Sequence, residues 1–559
     1  MYKKQLLFIL SFSLIIIIGC GSNPKETALK EFINIHVERV KPLFEKANVT
    51  YWDAAITGED SLYHKYSQME LKIRKIYSDS TDFHFLKNLK SSGQIKDPVL
   101  ARQLNLLLNE YLRNQIEPVL LEKIVTLSAE IEKKFSTFRG TINGEAVTVN
   151  EINHILKNET DSKIRKKAWL ASKQIGPVVA EDMIRLVKLR NKAAKNLGFD
   201  TYHTMALHTS ELKIDEINRL FDELYGLTFQ SFETLKSELD KKLAAMADID
   251  QNNLKPWHYH DSFFQETPLV YDIDLDTYYR NADIPVLAEK FYAGIGLPIA
   301  DILENSDLYE KEGKNPHAFC TDIDREGDVR ILCNIKPTER WMETMLHESG
   351  HGIYDKYQDP DLPFLLREPA HIFTTEAIAM MFGRLSRNGA WMQDMLDLSD
   401  TERETIDTVS KKYSRLKQLI FARWAMVMFK FEQELYDNPD QDLNALWWNL
   451  KGKYQLLRKP ENRNEPDWAS KIHFAIAPCY YHNYLLGELL ASQLHHCIVH
   501  DVLKLEDDKN LSYAGQEEIG QFLKTKVFQK GALYPWNEMI RQATGEPLNP
   551  KYFVDQFVK

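Results

Sequence analysis

Five consecutive residues, His347-Glu348-Ser349-Gly350-His351, carry the side-chain types that hydrolytic metal chemistry needs. On a helix, His347 and His351 lie one turn apart on the same face. Two imidazoles so placed can grip one Zn²⁺, and Glu348 between them can take a proton from a water held there. With 17 His in 559 residues, the pattern arises by chance in roughly a few per cent of such chains. Such a site needs a third donor. Glu376, in Thr374-Thr375-Glu376-Ala377-Ile378, is the first good candidate downstream.

The surroundings must position these groups. Trp341, Met342, Met345, Leu346, Ile353 and Tyr354 flank the pentapeptide and give it the pattern of a buried helix. Buried imidazoles and a buried carboxylate are costly without partners, and a metal would satisfy them together. Gly350 is a poor helix former, and a small residue there suits close approach by another segment.

Helical patterns dominate the rest. Apolar residues recur at 3–4 spacing from Leu29 to about Leu243, with a turn-rich break at Gly140–Glu145. Residues 246–275 look irregular, and helix resumes near Ile284–Gly294. Ser399 and Glu402 form a capping box before a long run through Ile406, Tyr413, Ile420, Trp424 and Phe431. The expected fold is mainly α: a large helical body split by a deep substrate groove into two subdomains, with a small β-hairpin near the zinc helix. Residues 31–559 are taken as one such domain.

The hairpin is read as His317–Ile323 and Asp328–Ile335 around a tight Glu326-Gly327 turn. That register sets Cys320 directly opposite Cys333, within reach of a disulfide; two small buried thiols are the alternative.

At the start of the chain, Lys3 and Lys4 precede an apolar run, Leu6 to Ile18, that ends at Gly19-Cys20. The run is short for a membrane span and reads as an export signal, residues 1–19. Ile17-Ile18-Gly19-Cys20 resembles a bacterial lipobox. Cys20 would then carry lipid, residues 20–30 would be a tether, and the protein would be exported and lipid-anchored to a bacterial membrane. Net charge is -11 with no strong basic run, so nucleic acid is not an expected partner.

Ordered segments after residue 285 resemble the angiotensin-converting-enzyme family of zinc peptidyl-dipeptidases, and more distantly the thimet-type oligopeptidases. They are His317-Ala318, His347–His351, Leu366-Arg367-Glu368, Glu376-Ala377-Ile378, Lys453-Tyr454-Gln455, Lys471-Ile472-His473, Tyr481-His482-Asn483-Tyr484 and Pro535-Trp536. The first half matches more loosely, through Arg190-Asn191 and Leu197-Gly198.

The resemblance implies roles. His347, His351 and Glu376 would hold one zinc, and Glu348 would act as general base. His473 and Tyr484 would be transition-state donors. Lys471 and Tyr481 would grip the C-terminal carboxylate of a short peptide, with Tyr480 as the alternative counterpart of Tyr481. His317 and Ala318 would lie on an edge strand that pairs with extended substrate.

There are departures. Met380 stands where the family has an Asp that supports a zinc His, and Asp355 is the candidate replacement for His351. Asn483 replaces an Arg tied to chloride, so a chloride role is doubtful. A further carboxylate-binding position is expected near Trp257–His260, where no Gln or Arg stands. The expected function is zinc-dependent trimming of peptides from the C-terminal end, as dipeptides. An endo-acting oligopeptidase, a carboxypeptidase and a non-catalytic peptide-binding lipoprotein are the alternatives. The sequence leaves the oligomeric state open.

Overall fold

A computed structural model describes residues 23–559, apart from 272, 509 and 510. The signal segment 1–19 and Cys20 lie outside the described residues. The described chain is mainly α, with two separate two-stranded antiparallel sheets.

The proposed tether is corrected in part. A helix already begins at Pro24 and runs to Thr57, with the Asn23 side chain accepting from the Lys25 N–H. Proline at the first helical position and Asn at the cap are both start signals, so residues 24–30 are helix. This helix packs Leu29 with Leu86, Leu104 and Tyr111, and with Phe364 and Leu365 from the distant part of the chain. A larger core joins the rest, and its Trp169, Trp391, Trp424 and Trp468 are at most 1% exposed. Among the described residues, no helix is long and apolar enough to cross a membrane.

Three helices frame the site. The motif helix spans Glu339–Lys356 and is capped by Thr338. The ligand helix spans Ile372–Gly383. The tyrosine helix spans His482–Cys497. Glycine lets the three approach. A Cβ on Gly350 would stand 2.7 Å from the Ala379 Cα, and one on Gly487 would stand 3.3 Å from the Glu376 Cβ. The first distance is below any real van der Waals contact and is set by helix backbone on both sides, so only glycine fits at 350. Ser399 and Glu402 do form a capping box, at the head of the long helix Asp400–Asp437.

The break at residues 140–145 is a short hairpin, Gly140–Ile142 with Glu145–Val147, turning through Asn143 and Gly144 at positive φ. The second hairpin pairs Phe319–Asp322 with Val329–Leu332, and its register differs from the expectation. Asp322 Oδ1 accepts from the Arg325 N–H, and Asp324 Oδ1 accepts from the N–H groups of Glu326 and Asp328. These side-chain bonds widen the turn and shift the pairing by two residues. Cys320 therefore faces Ile331, not Cys333, and both thiols are free. The predicted disulfide is absent.

Candidate metal centre

The motif and ligand helices bring His347, His351 and Glu376 together, with one donor atom from each inside 4.8 Å of the others. Glu376 Oε2 lies 3.9 Å from His347 Nε2 and 4.0 Å from His351 Nε2. Two atoms bound tetrahedrally to one zinc stand about 3.4 Å apart. A shift of about half an ångström would bring Glu376 to that separation from each ring, and the two-imidazole, one-carboxylate chemistry suits zinc with one position open. The residues present therefore fit the metal.

Electrostatics agree with that fit. Burial pushes His347 down to about 4 and His351 to about 3, so both rings are neutral at pH 7, as metal ligands must be. Burial raises Glu376 to about 7, and the Tyr480 hydroxyl, bonded to it, pulls the other way. Glu348 is pushed up to about 8, first by burial and then by the charge of Glu376, while the Cys320 backbone N–H opposes the shift. Two mutually repelling buried carboxyls are what a divalent cation would relieve.

The support of His351 differs from the expectation. Its Nδ1 stands 2.8 Å from Thr375 Oγ1. Asp355 instead accepts from Gln358 Nε2, and burial raises its carboxyl with Asp322 nearby. Asp355 thus fails as the partner: its carboxylate bonds Gln358, and Nδ1 of the ring is already bonded to Thr375. On the face of His347, Glu343 lies one turn earlier, and Lys417 sits 3.0 Å from its carboxylate. Met380 lines the groove beside them.

One groove of about 760 Å³ runs from His347 past His473, Tyr481 and Tyr484 to Lys471. Lys471 Nζ donates to Gln265 Oε1 at 2.8 Å. Gln265 is the residue that sequence reasoning missed. It lies five positions beyond the Trp257–His260 window, in an irregular stretch with no periodicity to phase it. The Tyr481 hydroxyl accepts from Trp424 Nε1 at 2.7 Å, and the Lys471 ammonium stands 5.5 Å from the Tyr481 ring centre. Tyr480 turns toward Glu376. The two candidate tyrosines thus face different partners, and Tyr481 is the one beside Lys471. Tyr484 also feels the charge of Glu376.

His473 lies in a short helical turn, His473–Ile476, and its ring packs 5.3 Å from that of Tyr481. Burial lowers it to about 4, so it is a neutral N–H donor at pH 7. His317 is exposed, and its N–H goes to Asn315 Oδ1. Ala318 directly precedes the strand whose Cys320 N–H touches Glu348. Among the described residues no further strand pairs on the outer edge, where the Asp322 carbonyl accepts from Asn48 Nδ2 at 3.0 Å.

A helical body with two imidazoles, a buried base and a carboxylate converging on a groove defines a metallopeptidase class. The profile of the angiotensin-converting enzyme family matches residues 23–246 and 270–555, and the chain belongs to that family. It is 23% identical over 449 residues to the angiotensin-converting enzyme-like protein Ace3 of Mus musculus, covering 73% of this chain and 59% of that protein. It is 20% identical over 458 residues to the angiotensin-converting enzyme of Theromyzon tessulatum, covering 76% and 74%. It is 23% identical over 400 residues to thermostable carboxypeptidase 1 of Pyrococcus furiosus, covering 66% and 71%. The chain spans less than two thirds of the mouse protein's length.

Proposed function

We propose that this chain is a zinc peptidase that removes dipeptides from the C-terminal end of short peptides. The observation that carries this reading is one groove lined by both His347 and the Lys471–Gln265 pair. A cation and an amide beside a phenol suit a terminal carboxylate, and anchoring that end fixes which peptide bond reaches the metal centre.

His347, His351 and Glu376 would hold the ion, which when bound supplies Lewis acidity and lowers the pKa of water toward neutral. Glu348 takes the proton released by the attacking water and delivers it to the leaving amine. Its protected position, beside the Cys320 N–H, suits both directions of transfer. His473 and Tyr484 donate to the oxygen that gains charge. The strand edge at Ala318, ahead of the Cys320 N–H that Glu348 holds, offers backbone groups to an extended peptide.

Replacing Glu348 with Gln keeps the ligands and removes the base. Zinc content should persist while peptidase rate falls on the order of 10²–10⁴-fold. Product masses from a nonapeptide blocked at its N-terminus then decide the mode. Dipeptide release supports the proposal. Single-residue release would make it a carboxypeptidase, and internal cuts alone an oligopeptidase. No cleavage by the zinc-loaded protein would leave a peptide-binding lipoprotein. Export with lipid on Cys20 belongs to the same proposal, supported by the Gly19-Cys20 segment. Labelling with a radioactive fatty acid should mark the full chain and spare C20A.

A further inference from the structure

The groove is cationic in a protein of net charge -11. Six cations line it against three carboxylates. Most are already paired. Arg384 pairs with Glu488, Lys417 with Glu343 at 3.0 Å, and Lys157 with Glu266 at 4.0 Å. Arg387 reaches Glu339 at 2.5 Å. Two cations remain. Lys471 is bonded to a neutral amide, and Arg340 has no ion-pair partner among the described residues.

Arg340 is exposed, in the first turn of the motif helix. It stands seven residues before His347, so Arg340, Glu343 and His347 share one helix face. Two helical turns separate Arg340 from His347 by about 10 Å along the axis. An extended peptide covers about 7 Å in two residues, and a glutamate side chain spans most of the remainder. With Lys471 assigned to the terminal carboxylate, Arg340 is left for a second one.

We infer that Arg340 forms a subsite for an acidic side chain, so that the preferred substrates carry Asp or Glu within the leaving dipeptide. Paired Lys417–Glu343 and Arg387–Glu339 beside it keep the face from accepting a basic side chain, because each carboxylate there is already neutralised. The inference rests on the peptidase reading above for the bound segment and for the assignment of Lys471 to its terminal carboxylate.

The test uses zinc-loaded full-length protein and three blocked pentapeptides that differ only in Glu, Gln or Lys, placed in turn at each of the last two positions. The value of kcat/KM is measured on the unmodified protein, and Kd for the same peptides on E348Q. Glu should exceed Gln by about fivefold at one position, near the upper range for an exposed ion pair, with Lys weakest. R340K should keep the order, and R340E should reverse it. Equal kcat/KM and equal Kd across the three peptides overturn the inference, and so does a preference that survives R340E. If no peptide is cut yet Kd keeps the Glu order and R340E reverses it, the peptidase reading fails and the acidic subsite stands.

Discussion

Thr375 Oγ1 stands 2.8 Å from Nδ1 of His351, and Thr375 is the residue directly before Glu376. One stretch of the ligand helix therefore supplies one candidate donor and the group that aims another. With His351 Nε2 turned toward Glu376, the ring proton belongs on Nδ1 and is donated to Thr375. Thr375→Val keeps the shape and removes the acceptor. Zinc affinity should fall about 10–100-fold, measured by chelator competition, while the helical circular dichroism spectrum stays unchanged. Unchanged affinity would mean that the hydroxyl plays no part in aiming the ring.

The role proposed for Lys471 carries a pH signature. Burial lowers its ammonium to about 8, with Asp261 and then Glu266 acting in the opposite direction. The lysine is charged below that value and neutral above it, so grip on a peptide carboxylate is lost as pH rises through about 8. KM for a peptide with a free C-terminus should climb between pH 7 and 9, while a C-terminally amidated peptide should lack that limb. K471M should abolish the difference between the two peptides. An identical pH profile for free and amidated peptides would remove Lys471 from the carboxylate site.

The convergence of His347, His351 and Glu376 was legible because its signals are local. His347 and His351 are one turn apart, and Glu376 follows within the next helix. Capping chemistry at Ser399 and Glu402 and the apolar run of Ile284–Gly294 were equally readable, since helix periodicity is a short-range property. What escaped depends on side chains that act at a distance. The hairpin register is set by Asp322 and Asp324 capturing backbone N–H groups, and a turn counted from Glu326-Gly327 alone cannot include them. Gln265 meets Lys471 across 206 residues of chain, from a segment with no repeat to phase. Asp355 looked suitable by spacing, yet side-chain direction gave the role to Thr375.

Arg190 ties the first half of the chain to the turn that carries His473. Its Nη1 donates to the Phe474 carbonyl at 3.0 Å and to the Tyr436 hydroxyl at 3.2 Å, and its Nη2 to the Ala475 carbonyl at 2.6 Å. These carbonyls lie immediately after His473. The forked guanidinium spans three acceptors at fixed angles, which a lysine ammonium cannot do. Arg190→Lys should lower kcat about tenfold or more with little change in KM or zinc content, because a small displacement of His473 weakens donation without touching the Lys471 anchor. A purely structural role would lower melting temperature and leave kcat of the folded fraction intact.

His203 is 1% exposed, and neither ring nitrogen has a hydrogen-bond partner among the described residues. It lies between the rings of Phe429 and Tyr436, at 5.4 Å and 6.2 Å. Burial lowers it to about 4 from 6.5. Above pH 6.5 the ring is neutral folded or unfolded, so protonation costs nothing. Between 6.5 and 4 the unfolded chain binds the proton and the folded one does not, and stability falls as pH falls. The full loss is about 3 kcal/mol at and below pH 4. His203→Leu removes the titration and two unsatisfied polar atoms. It should raise unfolding free energy about 1–3 kcal/mol at pH 7.5, and by more at pH 5, as read from denaturant melts. A variant whose gain is the same at both pH values would show that His203 is not a source of the acid sensitivity. His203 does not line the groove, but its neighbour Tyr436 accepts from Arg190, so kcat of the variant is measured beside its stability. With kcat unchanged, His203→Leu serves as a stabilised background for the site variants above, several of which remove buried polar contacts and lower the margin against unfolding.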